Sequence, residues 1–261
     1  MTRGRLLIVP ALVLAVLALG AAARAALIQE GNLRVIFDGS LAPQVLPRER
    51  PAPVTVSLTG SVGTADGSRP PQLRQMNIAV NREGLVSVAG LPRCPAGLLQ
   101  QTSNKAALEV CGRALVGTGH FAANVHFQDA PLFPARGRVL AFNSRIHGQP
   151  GLLLHLYGTS PVRAAFVLPF KIRHPKRGEY GTVFSTRIPE LASDLGYVTD
   201  IEMTMGRTYT YRGKQRSFLS ASCAAPAGFA GALFTLARGT FIFANGQRLS
   251  ATLSRDCRVR N

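Results

Sequence analysis

The most constraining feature of this sequence is a run of strict alternation and the way that run recurs. From Ile201 to Tyr211, Ile201, Met203, Met205, Tyr209 and Tyr211 fall on one side and Glu202, Thr204, Thr208 and Thr210 on the other. A period of two places successive side chains on opposite faces of a half-buried strand, which a helix cannot do. Arg207 interrupts the apolar side at a bulge that Gly206 permits. Arg212-Gly213-Lys214-Gln215 then supplies a turn and Ser217–Cys223 returns, which predicts a β-hairpin. Earlier, Met76, Ile78 and Val80 alternate with Asn77, Ala79 and Asn81, and Asn81-Arg82-Glu83-Gly84 turns into Leu85–Leu91, a second predicted hairpin.

The neighbours of the two hairpins also match in order. Each is preceded by a strand (Arg34–Phe37 or Arg163–Phe170), a basic Pro-bearing loop (Leu46–Pro53 or His174–Tyr180) and a Val/Thr strand. Each is followed by Cys and Pro-Ala-Gly, then by Gly119-His120-Phe121 or Gly239-Thr240-Phe241. Further strands are expected at Leu33–Phe37, Val54–Leu58, Val139–Phe142, Leu152–Tyr157, Ala165–Phe170, Val183–Ser185 and Thr240–Phe243, and one short helix at Asn104–Cys111, stopped by Gly112. The reading is an all-β chain: an antiparallel β-sandwich of two pseudo-repeats, in tandem or as one pseudo-symmetric sandwich, with at most one short helix. Residues 26–150 form the first repeat, with an extended Pro-rich edge at 46–53, and residues 151–261 the second.

Arg3 and Arg5, the uncharged run Leu6–Leu19 and the exit Ala21-Ala22-Ala23-Arg24-Ala25 describe a secretory signal peptide over residues 1–25, cut after Ala23 or Ala25. An uncleaved anchor over Leu6–Ala23 is the alternative, since that length sits at the lower limit for a span. Cys94, Cys111, Cys223 and Cys257 all follow the leader, and an even count in an exported chain reads as two disulfides. Three pairings are open; Cys94–Cys111 and Cys223–Cys257 each close a local loop within one repeat and are favoured.

Arg216-Ser217-Phe218-Leu219-Ser220-Ala221-Ser222-Cys223 with the Pro-Ala-Gly after it, the terminal Phe241, Gly246, Leu249 and Cys257, Cys111-Gly112-Arg113-Ala114-Leu115-Val116-Gly117, and Phe142-Asn143 carry a resemblance. The chain resembles uncharacterised secreted proteins of high-GC Gram-positive bacteria over most of its length after the leader. The resemblance implies export and a β-rich fold. Its motifs are structural, so no catalytic role comes with it.

Candidate chemistry is sparse. His120 and His126 share strand parity, and with Asp129 they form the one conceivable His/Asp site of a secreted hydrolase. Ser144 and His147 are a second pairing, without the downstream Ser-x-Gly-Cys of cell-wall transpeptidases. His155 interrupts an apolar strand and reads as a satisfied core histidine. No cofactor and no metal site is expected, and a non-catalytic protein is the leading expectation. Charge is the remaining signal: 30 Lys+Arg against 13 Asp+Glu give +17, with +5 on residues 26–150 and +9 on 151–261. Arg173, Arg177, Arg212, Lys214 and Arg216 form the expected binding patch for an anionic cell-wall polymer or membrane surface. Intracellular nucleic acid is disfavoured by the leader. A lipid or small-ligand carrier remains the alternative, and would need an apolar cavity near Leu152–Tyr157 and Ala165–Phe170.

Overall fold

The computed structural model describes residues 25–126, 132–160, 163–189 and 196–260. The expected leader through Arg24, and Asp129, lie outside the described residues. The first half forms β1 (Ala26–Glu30), β2 (Leu33–Ala42), β3 (Val45–Leu46), β4 (Ala52–Pro53), β5 (Thr55–Thr64), β6 (Leu73–Asn81), β7 (Gly84–Val86), the helix α1 (Asn104–Cys111), β8 (Leu115–Val125) and β9 (Phe133–Ile146). The second forms β10 (Gln149–Gly158), β11 (Ala164–Arg173), β12 (Tyr180–Arg187), β13 (Gly196–Met205), β14 (Thr208–Tyr211), β15 (Lys214–Ser217), β16 (Leu219–Ala221), β17 (Gly231–Phe243) and β18 (Arg248–Val259). Among the described residues the chain is all-β with a single short α-helix, as its periodicity predicts.

Thirteen strands make one sheet in the order β1-β2-β5-β13-β8-β9-β10-β11-β12-β6-β17-β18-β3, antiparallel except where β3 joins β18. The faces that a sandwich would press together belong here to one continuous sheet, curled until its ends meet. Alternation drives the curl: Leu33, Val35, Phe37 and Leu41 of β2, and Leu249, Ala251 and Leu253 of β18, are buried on the inner face while their neighbours are exposed. At the seam the ladder is replaced by side chains. Buried Arg255 of β18 donates to the Gly39 carbonyl and to the Asp38 carboxylate on β2, and the Phe37 and Phe241 rings meet edge to face at 5.9 Å.

Residues 26–150 and 151–261 are not separate bodies, because each sends one strand into the other's set. The sheet reads as β1-β2-β5-β13-β8-β9 followed by β10-β11-β12-β6-β17-β18, with β13 in the first group where β6 stands in the second. The registers agree as well. Met203 lies opposite Gly119 and Ile201 opposite Phe121; in the other group Ile78 lies opposite Gly239 and Met76 opposite Phe241. Even the bulges coincide, between Leu115 and Gly117 and between Thr235 and Ala237.

Two expected hairpins are corrected. β6 does not pair with β7: the Asn81 side chain accepts from the Glu83 amide, and the turn carries β7 out of the main sheet into a small one, β4-β16-β7. The strand expected over Ile201–Tyr211 breaks after Met205. Arg207 is the physical reason, because its guanidinium donates to the Arg113 and Leu115 carbonyls at 2.7 and 2.8 Å and pulls the backbone out of the ladder. The hairpin that follows is the short pair β14–β15. The Pro-rich 46–53 stretch supplies edge strands, with β3 at the end of the large sheet and β4 at the edge of the small one.

β9 and β10 are apolar on both faces, and the outer one is covered by residues 91–114. Leu99, Ala107 and Ala114 pack there on Leu140, Phe142 and Leu153. Ser103 caps α1 by accepting from the Ala106 amide, and the Cys94–Cys111 disulfide staples the segment. The second disulfide joins Cys223 to Cys257, so both local pairings hold.

Candidate functional site: an apolar cavity under a three-stranded cap

The curled sheet cannot close on itself without leaving space at its axis, and one end of that space is covered by β4-β16-β7. Backbone bonds fix this cap: Val54 N to Leu219 O (3.1 Å) and Ser87 N to Phe218 O (2.9 Å). The Ser222 hydroxyl adds a 2.6 Å bond to Glu83 Oε2, while the Ser222 amide reaches Glu83 O. Beneath the cap lies a cavity of about 100 Å³. Met203 and Met205 of β13 and Leu152 and Leu154 of β10 form part of its wall, Phe170 and Phe184 another part, and Leu219 and Ala221 its roof. Asn81 and Ser220 are the polar residues on its border. Leu85, on edge strand β7, lines the cavity yet is 49% exposed, so the cap edge is where the interior comes closest to solvent.

The cavity borders Leu152, Leu154 and Phe170, within the two stretches where a carrier would need it. Its roof was invisible in the sequence, because Leu219–Ala221 reads there as a hairpin arm and not as the centre of a separate sheet. The wall methionines, by contrast, were legible from their period of two.

The other candidates are dispersed. His120 lies within β8 and His126 just past its end, and six residues of extended chain separate them by roughly 20 Å, too far for one metal ion. His120 lies opposite Glu202 and Arg138. Among the described residues no group of three or more His, Cys, Asp or Glu side chains is arranged to hold a metal. Ser144 is buried with its hydroxyl donated to the Cys94 carbonyl at 2.7 Å, and His147 sits in a turn at φ 50°. Together with the Cys94 amide bond to Asn143 O, Ser144 pins the covering segment to β9.

The five basic residues are all exposed and fall in two places, the β11–β12 turn and the β14–β15 hairpin. Arg173 ends β11 and Arg177 follows in the loop to β12, which Arg82 braces by donating to the Gly178 and Pro175 carbonyls. Arg212, Lys214 and Arg216 share the β14–β15 hairpin. That hairpin leans on residues 89–90: the Tyr209 hydroxyl donates to Ala89 O at 2.8 Å, and the Tyr211 ring fills the space a side chain at Gly90 (φ 81°) would need.

Among the described residues three titrations are shifted. Burial lowers the His155 imidazole from its usual value, partly opposed by its bond to the Thr102 carbonyl. Burial raises the Tyr180 phenol, opposed by Arg238, whose guanidinium stacks over the ring at 5.2 Å, and reinforced by Glu179. Exposed Asp66 is held far below the usual carboxylate range by hydrogen bonds from Asn32 and Ser68. None of the three borders the cavity.

No helix among the described residues is long and apolar enough to cross a membrane. Comparison with known proteins finds no matching family model, no matching curated protein and no matching solved structure.

Proposed function

We propose that this chain works outside the cytosol as a binder of small aliphatic groups, taking the end of a hydrocarbon chain into the cavity under its cap. The observation that carries the reading is the cavity itself, apolar around nearly its whole wall and roofed by a separate small sheet. A dry apolar space of this kind is open to hydrocarbon and closed to polar solutes, because a polar group entering it loses its water without gaining a partner. An apolar cavity of ~150 Å³ takes benzene, so this one takes roughly four or five carbon atoms. At ~0.8 kcal/mol per buried methylene that is roughly 3–4 kcal/mol, a millimolar Kd for the tail alone. Met203 and Met205 are the adaptable part of the wall, since an unbranched thioether changes rotamer at little cost.

Export is supported by the sequence of residues 1–25 and by the two disulfides, which persist in oxidising compartments. N-terminal sequencing of the secreted product is expected to begin at Arg24 or Ala26; a chain still starting at Met1 in the membrane fraction would replace this with the anchor.

The binding reading is tested on the disulfide-intact protein by titrating straight-chain alcohols of two to ten carbons and following the methyl NMR shifts of the wall residues Met203 and Met205. Affinity should rise about fourfold per methylene, the equivalent of the transfer free energy of one buried CH₂, and flatten near five carbons. Ala221→Leu, which fills the space from the roof, should abolish that dependence. A flat response across the series in the unchanged protein discards the reading.

A further inference from the structure

The outer face of the sheet from β11 to β18 carries a cationic surface distinct from the cavity. Strand register builds it row by row. Lys171, Ser185, Asn77, Thr240 and Ser250 lie side by side across five strands. Arg173, Val183, Ala79, Arg238 and Thr252 form the next row. Arg187, Gln75, Ile242 and Arg248 form a third on the other side of the first. The face spans roughly 19 Å across the strands at ~4.8 Å per strand. It holds five cations, Lys171, Arg173, Arg187, Arg238 and Arg248, and not one carboxylate in the three rows. Short hydroxyl and amide side chains fill the space between them.

The corresponding rows of the first strand group show that this is not the general Arg excess of the chain spread over every surface. There Asp38 lies opposite Thr59, and Thr59 opposite Glu202; Asp200 lies opposite Ser61. By matched register, Glu202 and Asp200 occupy the places of Asn77 and Gln75. At matched positions the acids therefore stand in the first group, while the exposed acid on the outer side of β18, Asp256, lies opposite Leu233 and outside the three rows.

We infer that the β11–β18 face binds a linear anionic polysaccharide. Cations spaced across a flat sheet suit the repeated charges of such a chain, and guanidinium forks suit its carboxylate or phosphate groups. The exposed hydroxyls of Ser250 and Thr252 and the half-buried Ser185, Asn77 and Gln75 both donate and accept, which matches sugar hydroxyls, while buried Thr240 is paired with Ser250 at 3.2 Å. A lipid surface fits less well, because the larger apolar side chains of the three rows, Val183 and Ile242, are both half-buried and neither protrudes to insert.

The test is affinity electrophoresis of the disulfide-intact protein in gels containing polygalacturonate, neutral dextran or inorganic polyphosphate, with sedimentation on phosphatidylglycerol vesicles alongside. The inference expects retardation by polygalacturonate that weakens steeply with salt, and none by dextran. Lys171→Glu/Arg173→Glu should weaken it at least tenfold, whereas Arg136→Glu/Arg138→Glu on the first group's face should change it less than twofold. Equal loss in both variants, stronger retardation by polyphosphate than by polygalacturonate, or binding to vesicles alone would each overturn the inference. None of these outcomes bears on the alcohol series, so the two readings fail separately.

Discussion

His155 shows how one residue reports the state of the outer cover. Its side chain is buried between β10 and the segment carrying α1, donating from Nε2 to the Thr102 carbonyl at 3.0 Å while Nδ1 has no partner. Burial lowers its affinity for protons in the folded chain, so the unfolded chain, which titrates near the ordinary ~6.5, binds more protons below that pH. Stability is therefore fully present above about pH 6.5 and falls as the solution is acidified through it, levelling below the lowered folded value. Urea midpoints measured at pH 7.5 and 5.5 should show this drop, and His155→Leu should shrink it while costing about 1 kcal/mol at pH 7.5 through the Thr102 carbonyl left unpaired. An unchanged pH dependence in that variant would place the sensitivity elsewhere. Arg207 teaches the converse lesson: a charged residue that breaks a pattern can be spent entirely on backbone carbonyls.

At the scale of elements, the inner face of β8 is set by glycine. A Cβ on Gly119 would fall 1.9 Å from the Glu202 carbonyl oxygen on β13, whereas a Cβ on Gly63 of β5 meets nothing within 4 Å. Gly119→Ala should cost about 1–3 kcal/mol or more, and Gly63→Ala should stay within about 0.5 kcal/mol, as read from denaturation curves. The presence of many strands and the whole of α1 were legible from the sequence, because alternation and a stopping glycine are local signals; strand length was not, since Phe133–Ile146 forms where only Val139–Phe142 is expected. Partners were not. Met76, Ile78 and Val80 announce a strand, but nothing in them says that it lies between β12 and β17 instead of beside β7. The same limit applies to the sites. Leu152, Leu154 and Phe170 could be marked as a possible wall, while the roof depends on where β16 goes. The cationic face appears only once five strands, drawn from both halves, are set in register.

For the whole molecule, the two disulfides hold different parts. They span 17 and 34 residues, for which loop-closure entropy gives roughly 3 and 4 kcal/mol. Cys94→Ser/Cys111→Ser should loosen the outer segment and leave alcohol binding in place. Cys223→Ser/Cys257→Ser frees the chain just after β16 from β18 and should weaken binding together with stability. Binding that survives both pairs of substitutions equally would show that the cap does not depend on its covalent tie.

The exchanged strands also govern when the protein can fold. Until residues 196–205 exist, β5 and β8 face each other across a slot with unpaired ladders, and β6 meets its first neighbour only with β12 and its second only with β17. A chain emerging from its N-terminus therefore has no stable intermediate at its midpoint and stays open until nearly the last strand is available. Either half made alone should aggregate through those bare edges. Two halves made together should complement one another, each lending the strand that the other's sheet is waiting for.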